Sequence, residues 1–222
     1  MNNISKQSNS KDIIYLLLLI IIVFLLQSGA QEIKKWLIPE GNFLKLFIIV
    51  QLIISILLPV ILYLKILGLP WKETLGFHRP PWKKTVIGLI LGFLVIIVIS
   101  IFLPIIITPT PELIQKSGSI ASYGNFLEFL FALLTVMICA SIVDELFFRG
   151  ILLQGMLKKY GKIVAIVMTA ILTALFHTWE PFKLVHAFLM GIIFASVVVW
   201  TNSVYTSIIL HSLHNSLALI PQ

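Results

Sequence analysis

Residues 138–153 read ICASIVDELFFRGILL, with Asp144, Glu145 and Arg149 set inside an otherwise apolar run. The run extends without a proline from Phe126 to Leu157, about 32 residues. As an α-helix at 1.5 Å per residue it would reach roughly 48 Å, well beyond the roughly 30 Å of a bilayer's hydrocarbon core. On insertion scales each Asp or Arg at the centre of such a helix costs roughly 2.5 to 3.5 kcal/mol. Three together are an expense that function or assembly must justify, and intramembrane charges are functional suspects by default.

The rest of the chain shares the apolar character of this stretch. Of 222 residues 59% are hydrophobic and only 11% charged, where a soluble domain needs about a quarter charged to cover its surface. Apolar runs of bilayer-spanning length recur throughout, so the expected fold is all-α, a polytopic membrane helix bundle of about seven transmembrane helices. The spans are Ile13–Leu26, Phe43–Leu64, Thr85–Ile107, Phe126–Leu157, Ile163–Phe176, Leu184–Trp200 and Val204–Ile220. No stretch is left for a separate soluble domain, so residues 1–222 read as one multi-pass domain with its chemistry-bearing core at about 125–220. The first run, behind Lys6 and Lys11, has the length of a signal-peptide core but is read as a retained helix.

The net charge of +7 does not signal a nucleic-acid partner, because the lysines sit in short segments between apolar runs and act as topology signals. With the N-terminus inside, the inner segments hold Lys6, Lys11, Lys65, Lys72, Arg79, Lys83, Lys84, Lys158, Lys159 and Lys162. The outer ones hold Lys34, Lys35, Lys45, Lys116 and Lys183. Ten against five predicts a cell-membrane protein with a cytoplasmic N-terminus and, for an odd span count, an extracytoplasmic C-terminus. The segment GLPWKETLGFHRPPWKK, residues 68–84, combines Trp71 and Trp82 with basic residues and suits the inner headgroup layer. Fourteen Lys against two Arg and abundant Ile fit an AT-rich bacterial genome. The single cysteine, Cys139, supports neither a disulfide nor a cysteine metal cluster. Gly88 with Gly92, and Gly191 with Ala195, permit close helix approach, while Pro59 and Pro104 can kink their spans. Asn125 followed by Glu128 has the spacing of a helix N-cap with its carboxylate partner.

Helical geometry sorts the three central charges. Glu145 and Arg149 are four apart and can pair along one face, acid first; Asp144 points about 100° away and is left over. The partners at membrane depth are histidines. His177 closes the fifth span, His186 opens the sixth, and His211 and His214 lie in the seventh, where His211 and Asn215 share a face. Of these, His186 and His214 read as packed or interfacial. Counting residue rises from the two surfaces brings Asp144 and His177 each to a depth of roughly 28 Å from the outer side.

Three patterns on successive apolar helices now stand in order: Asp144-Glu145-x-x-x-Arg149, Thr173-x-x-x-His177 and His211-x-x-x-Asn215. Together they resemble the CaaX prenyl protease and bacteriocin-processing (Abi) family of intramembrane proteases, whose pattern is E-E-x-x-x-R, F-x-x-x-H and H-x-x-x-N. The resemblance covers roughly residues 125–219, and ETLGFHRP ahead of the third span looks like the family's lead-in. The chain departs from the pattern at Asp144, where the family has its catalytic glutamate, and at Thr173, where it has phenylalanine.

The resemblance implies an intramembrane endopeptidase that hydrolyses a peptide bond with an activated water. Asp144, or Glu145 if the shorter acid does not reach, would act with His177 as general base. His211 and Asn215 would donate hydrogen bonds to the oxyanion, and Arg149 would neutralise Glu145. Substrates would be membrane-associated peptides or proteins: prenylated tails, bacteriocin leaders, pheromone-type peptides or immunity-related targets, reached laterally or from the cytoplasm. No metal is expected to be required, although His177, His211 and Asp144 number the three ligands of an open zinc site. Two other classes stay open on the residues alone. One is a non-catalytic membrane immunity or scaffold protein that keeps the charges for helix assembly. The other is a proton-coupled transporter, which the lack of an internal repeat disfavours.

Overall fold

The computed structural model describes residues 10–37, 41–177 and 180–219. Helix makes up 88% of it, and no strand occurs among the described residues, in keeping with an all-α membrane protein. The elements are α1 (Ser10–Leu37), α2 (Gly41–Ile66), the single turn α3 (Trp71–Thr74), α4 (Trp82–Ile106), α5 (Pro111–Ala121), α6 (Phe126–Tyr160), α7 (Lys162–His177), α8 (Pro181–Thr201) and α9 (Val204–Ser216). Lys6 and Ile220, used above to orient and end spans, lie outside the described residues.

Five helices are long and apolar enough to cross a bilayer: α1 from Ile13, α2, α4, α6 and α8. The fifth and seventh expected spans form helices of 16 and 13 residues, α7 and α9. At 1.5 Å per residue these reach only about 24 and 20 Å, short of the hydrocarbon thickness. Five of the seven expected spans are thus helices of crossing length, and α7 is a shorter apolar one. Both short helices end at the level of the polar cluster described below.

Helix α6 is not a uniform α-helix. Residues Leu133–Ala140 and Leu146–Leu153 are π-helical, and only Ser141–Glu145 between them is α, carrying the two adjacent acids. A π turn takes more residues for less rise, so α6 is shorter than its residue count suggested, and π segments often mark functional sites. A third π stretch, Ile53–Leu57 in α2, precedes Pro59, whose missing N–H breaks the regular ladder there. The start of α6 is capped as expected: Asn125 Oδ1 accepts from Glu128 N at 3.0 Å, and Glu128 Oε2 accepts from Gly124 N at 2.6 Å.

The apolar core lies between α1, α2 and α6, where Val23, Val60, Phe147 and Leu152 are buried. Leu17, Ile21 and Leu25 of α1 and Ile90, Leu94 and Ile101 of α4 face outward, as lipid-facing residues do. Helix α7 lies directly on α8: a Cβ built on Gly191 would sit 2.8 Å from Ala170 Cα, so only glycine allows this approach. The segment after α3 is more than a headgroup anchor. Leu75 is buried over Gly150, Gly76 O accepts from Val204 N at 3.0 Å, and His78 O accepts from Ser203 Oγ at 2.6 Å. It thereby braces the α8–α9 corner.

Two features were not legible in the chain. Helix α5, capped by Thr110 and opened by Pro111, occupies what read as a loop. Lys45, counted among outer loop lysines, is buried within α2 and donates to Ser122 O at 2.7 Å, at the C-terminal end of α5 where a helix favours a cation.

Candidate active site

The α turn Ser141–Glu145 sends its two acids in different directions. Glu145 is fully buried. Its Oε1 accepts from Arg149 Nη1 at 3.0 Å and from His211 Nδ1 at 3.0 Å. Arg149, also buried, reaches Gly191 O with Nη2 at 3.3 Å, and its guanidinium lies against the rings of Phe148 and Phe194. One ion pair thus joins α6 to α8 and, through His211, to α9. The planar arginine fork suits a buried site where two acceptors must be met at once.

Asp144 faces the other way, into a cavity of about 250 Å³. Its Oδ2 lies 3.9 Å from His177 Nε2, too far for a direct hydrogen bond but a fitting separation for one bridging water. The final turn of α7 sets that geometry. His177 Nδ1 donates to Thr173 O at 2.7 Å, and because a carbonyl can only accept, the neutral ring keeps its lone pair on Nε2, toward Asp144. Thr173, at the family's phenylalanine position, is itself buried and donates to Thr169 O at 2.9 Å.

The cavity is walled by Asp144, His177, His211 and Asn215 together, so one space collects the four side chains from three helices. With Nδ1 donating to Glu145, His211 presents Nε2 at its open edge, its ring stacked on Phe194 at 4.8 Å between centroids. Asn215 is engaged differently from expectation: its Nδ2 donates to Val136 O at 2.9 Å and to Ser141 Oγ at 3.1 Å. Both amide hydrogens are used in tying α9 to α6. Among the described residues no three His, Cys, Asp or Glu side chains gather closely enough to hold one metal ion. His177, His211 and Asp144 do not form such a group.

The wall also contains residues absent from the sequence-derived set: Lys183, His186 and His214. The rings of His186 and His214 are 5.2 Å apart, and His214 is 6.2 Å from His211. Spacing held a signal for them. Lys183, the adjacent pair His186 and Ala187, Met190 and Phe194 follow one another at three- or four-residue steps along one face of α8, and His211 and His214 are three apart on α9.

Residues 126–217 match the family described as type II CAAX prenyl endopeptidase Rce1-like, the same CaaX protease family that the three motifs resemble. No curated protein and no solved structure matches the chain.

Proposed function

We propose that this protein, a multi-pass membrane member of the CaaX-type protease family, is an intramembrane endopeptidase that hydrolyses a peptide bond in a membrane-associated peptide or protein. The observation that carries the reading is the single cavity in which Asp144 Oδ2 and His177 Nε2 stand 3.9 Å apart beside His211.

A water between these two atoms donates one hydrogen to each and turns its own lone pair toward the cavity. As the water oxygen bonds to the scissile carbonyl carbon, Asp144 takes a proton and the carbonyl oxygen becomes an oxyanion. Collapse of the tetrahedral species breaks the C–N bond, and the proton moves to the departing amine, leaving one acid and one amine. Donation from His211 Nε2 to the oxyanion requires a proton on each ring nitrogen, and the Glu145 carboxylate, accepting from Nδ1, is placed to balance the imidazolium charge. Asp144, Glu145, Arg149 and His211 are then charge-neutral as a set, which suits a site at membrane depth.

Asn215 acts as a positioning residue in this arrangement, because its amide hydrogens are held by Val136 and Ser141. The oxyanion donation expected of it falls to His211. Glu145, sealed between Arg149 and His211, orients and charges the histidine and does not replace Asp144 as base.

The test is cleavage of a library of lipid-anchored, internally quenched peptides by purified protein in liposomes. Asp144→Asn and His177→Ala should each lower turnover by about 10²- to 10⁴-fold, the usual contribution of a general base. Thermal unfolding of each variant checks that it is folded. No cleavage of any library member by folded wild-type protein would remove the hydrolytic reading in favour of a scaffold that keeps the cluster for assembly, and wild-type rates in folded Asp144→Asn and His211→Ala would show that the cleavage does not arise at this site.

A further inference from the structure

The two ends of the bundle differ sharply in charge. At one end Lys65, Lys72, Arg79, Lys83, Lys84, Lys158, Lys159 and Lys162 are all exposed, and the acids among the described residues there are Glu73 and, in the first turn of α1, Asp12. Trp71 and Trp82 stand exposed among them, with the Lys72 and Lys83 ammonium groups 5.3 and 5.7 Å from their ring centroids. Leu16 packs against Gly155, which places the start of α1 at this end too. The opposite end mixes signs: Glu32, Lys34, Lys35, Glu112, Glu128, Glu180 and Lys183.

The cavity belongs wholly to the mixed-sign end. It takes the last turn of α7, the first two-thirds of α8 from Lys183 to Phe194, and the last turns of α9. Its rim is there: the His177 side chain is 32% exposed and Lys183 half-buried, whereas Arg149 and Phe194 at the bottom are buried. Beneath that floor Leu153, Ala165, Ala195 and Val198 form a sealed layer, and the segment around Gly76 closes the α8–α9 corner below them.

Basic segments are retained on the cytoplasmic side, and the cytoplasmic leaflet's anionic headgroups attract them further. We propose that the cavity takes its substrate from the extracytoplasmic side, so that the scissile segment is an exported peptide or an outward-facing stretch of a membrane protein. The nature of that substrate rests on the hydrolytic reading above; the side of access does not. This departs from the lateral or cytoplasmic access that the family resemblance implies, and it follows from which end of the bundle is walled off.

Thiol labelling tests the access without any need for turnover. In a Cys139→Ser background, Lys183→Cys reports the rim, Glu112→Cys in α5 reports the same end away from the cavity, and Lys159→Cys reports the basic end. A membrane-impermeant maleimide applied to intact cells should label Lys183→Cys and Glu112→Cys but spare Lys159→Cys, with the pattern reversed in inside-out vesicles. Labelling of Lys159→Cys in intact cells with the other two protected would overturn the proposal. So would a labelled Glu112→Cys beside a Lys183→Cys that stays unreactive from both sides, which would mean access from within the bilayer. A protein that labels as expected yet cleaves nothing would leave the access side standing and refute only the protease.

Discussion

Asp144 is one methylene shorter than the glutamate of the family pattern, and the 3.9 Å to His177 Nε2 shows what that shortening does. The carboxylate stops short of the imidazole and leaves room for a water where a longer acid would make direct contact. Asp144→Glu should therefore retain turnover within about tenfold while Asp144→Asn loses it, since the first keeps a base and the second does not. Equal losses in both, measured on the same quenched peptide, would show that the site depends on the length of the side chain and not on its basicity. Arg149 makes a separate prediction. Removing one partner of a buried ion pair leaves the other uncompensated, so Arg149→Met should cost about 3–5 kcal/mol, read as an early thermal transition in detergent. Arg149→Lys should recover little of it, because an ammonium does not reproduce the fork that meets Glu145 and Gly191 O together. At this scale much was legible: the four-residue spacing of Glu145 and Arg149 foretold their contact and left Asp144 over. What spacing did not convey was the engagement of Asn215, whose partners Val136 and Ser141 lie about 75 residues away in α6 and follow from packing alone.

Among the elements, the α7–α8 contact holds the site together. Gly191 lets α8 lie on Ala170 and offers its carbonyl to Arg149, so one residue serves both the packing and the charge network. Gly191→Leu should push the helices apart, lower the melting temperature by several degrees in line with overpacking of about 1–3 kcal/mol, and abolish cleavage. Gly88→Leu, against the Trp200 and Val197 side chains on the far side of α8, should lower stability with cleavage largely kept, which separates a loss of fit at the site from a general loss of fold. Element types were readable from apolar run length, but two boundaries were not. Runs of 14 to 17 apolar residues suggested crossings at Ile163–Phe176 and Val204–Ile220, yet run length did not fix where the helices themselves end, after 16 residues in α7 and 13 in α9. The π stretches of α6 were equally silent, because local propensity does not distinguish i→i+5 from i→i+4 bonding when packing chooses between them.

For the molecule as a whole, the basic end is a surface of eight cations and two tryptophans facing one leaflet. Juxtamembrane lysines contribute about 1 kcal/mol each toward anionic headgroups, so the protein in nanodiscs of mixed lipid should retain anionic lipid preferentially through detergent extraction. Native mass spectrometry would show that enrichment falling when Lys158, Lys159 and Lys162 are changed to Gln, and falling again as salt is raised. Unchanged lipid counts would mean that these cations serve topology alone. Charge asymmetry between loops was visible in the sequence; the closed floor that turns it into a statement about access required the packing of Leu153, Ala195 and Val198.

The brevity of α7 carries a final implication for the surrounding lipid. A 16-residue helix of about 24 Å, standing beside full-length neighbours, obliges the adjacent acyl chains to compress or the headgroups to dip toward His177. Such a dimple would draw interfacial water down to the depth of Asp144 and His177 with no dedicated conduit through the protein. Bilayer thickness then becomes a control on the proposed hydrolysis: short-chain phospholipids would relieve the mismatch, and long-chain ones would strain it and drain the dimple.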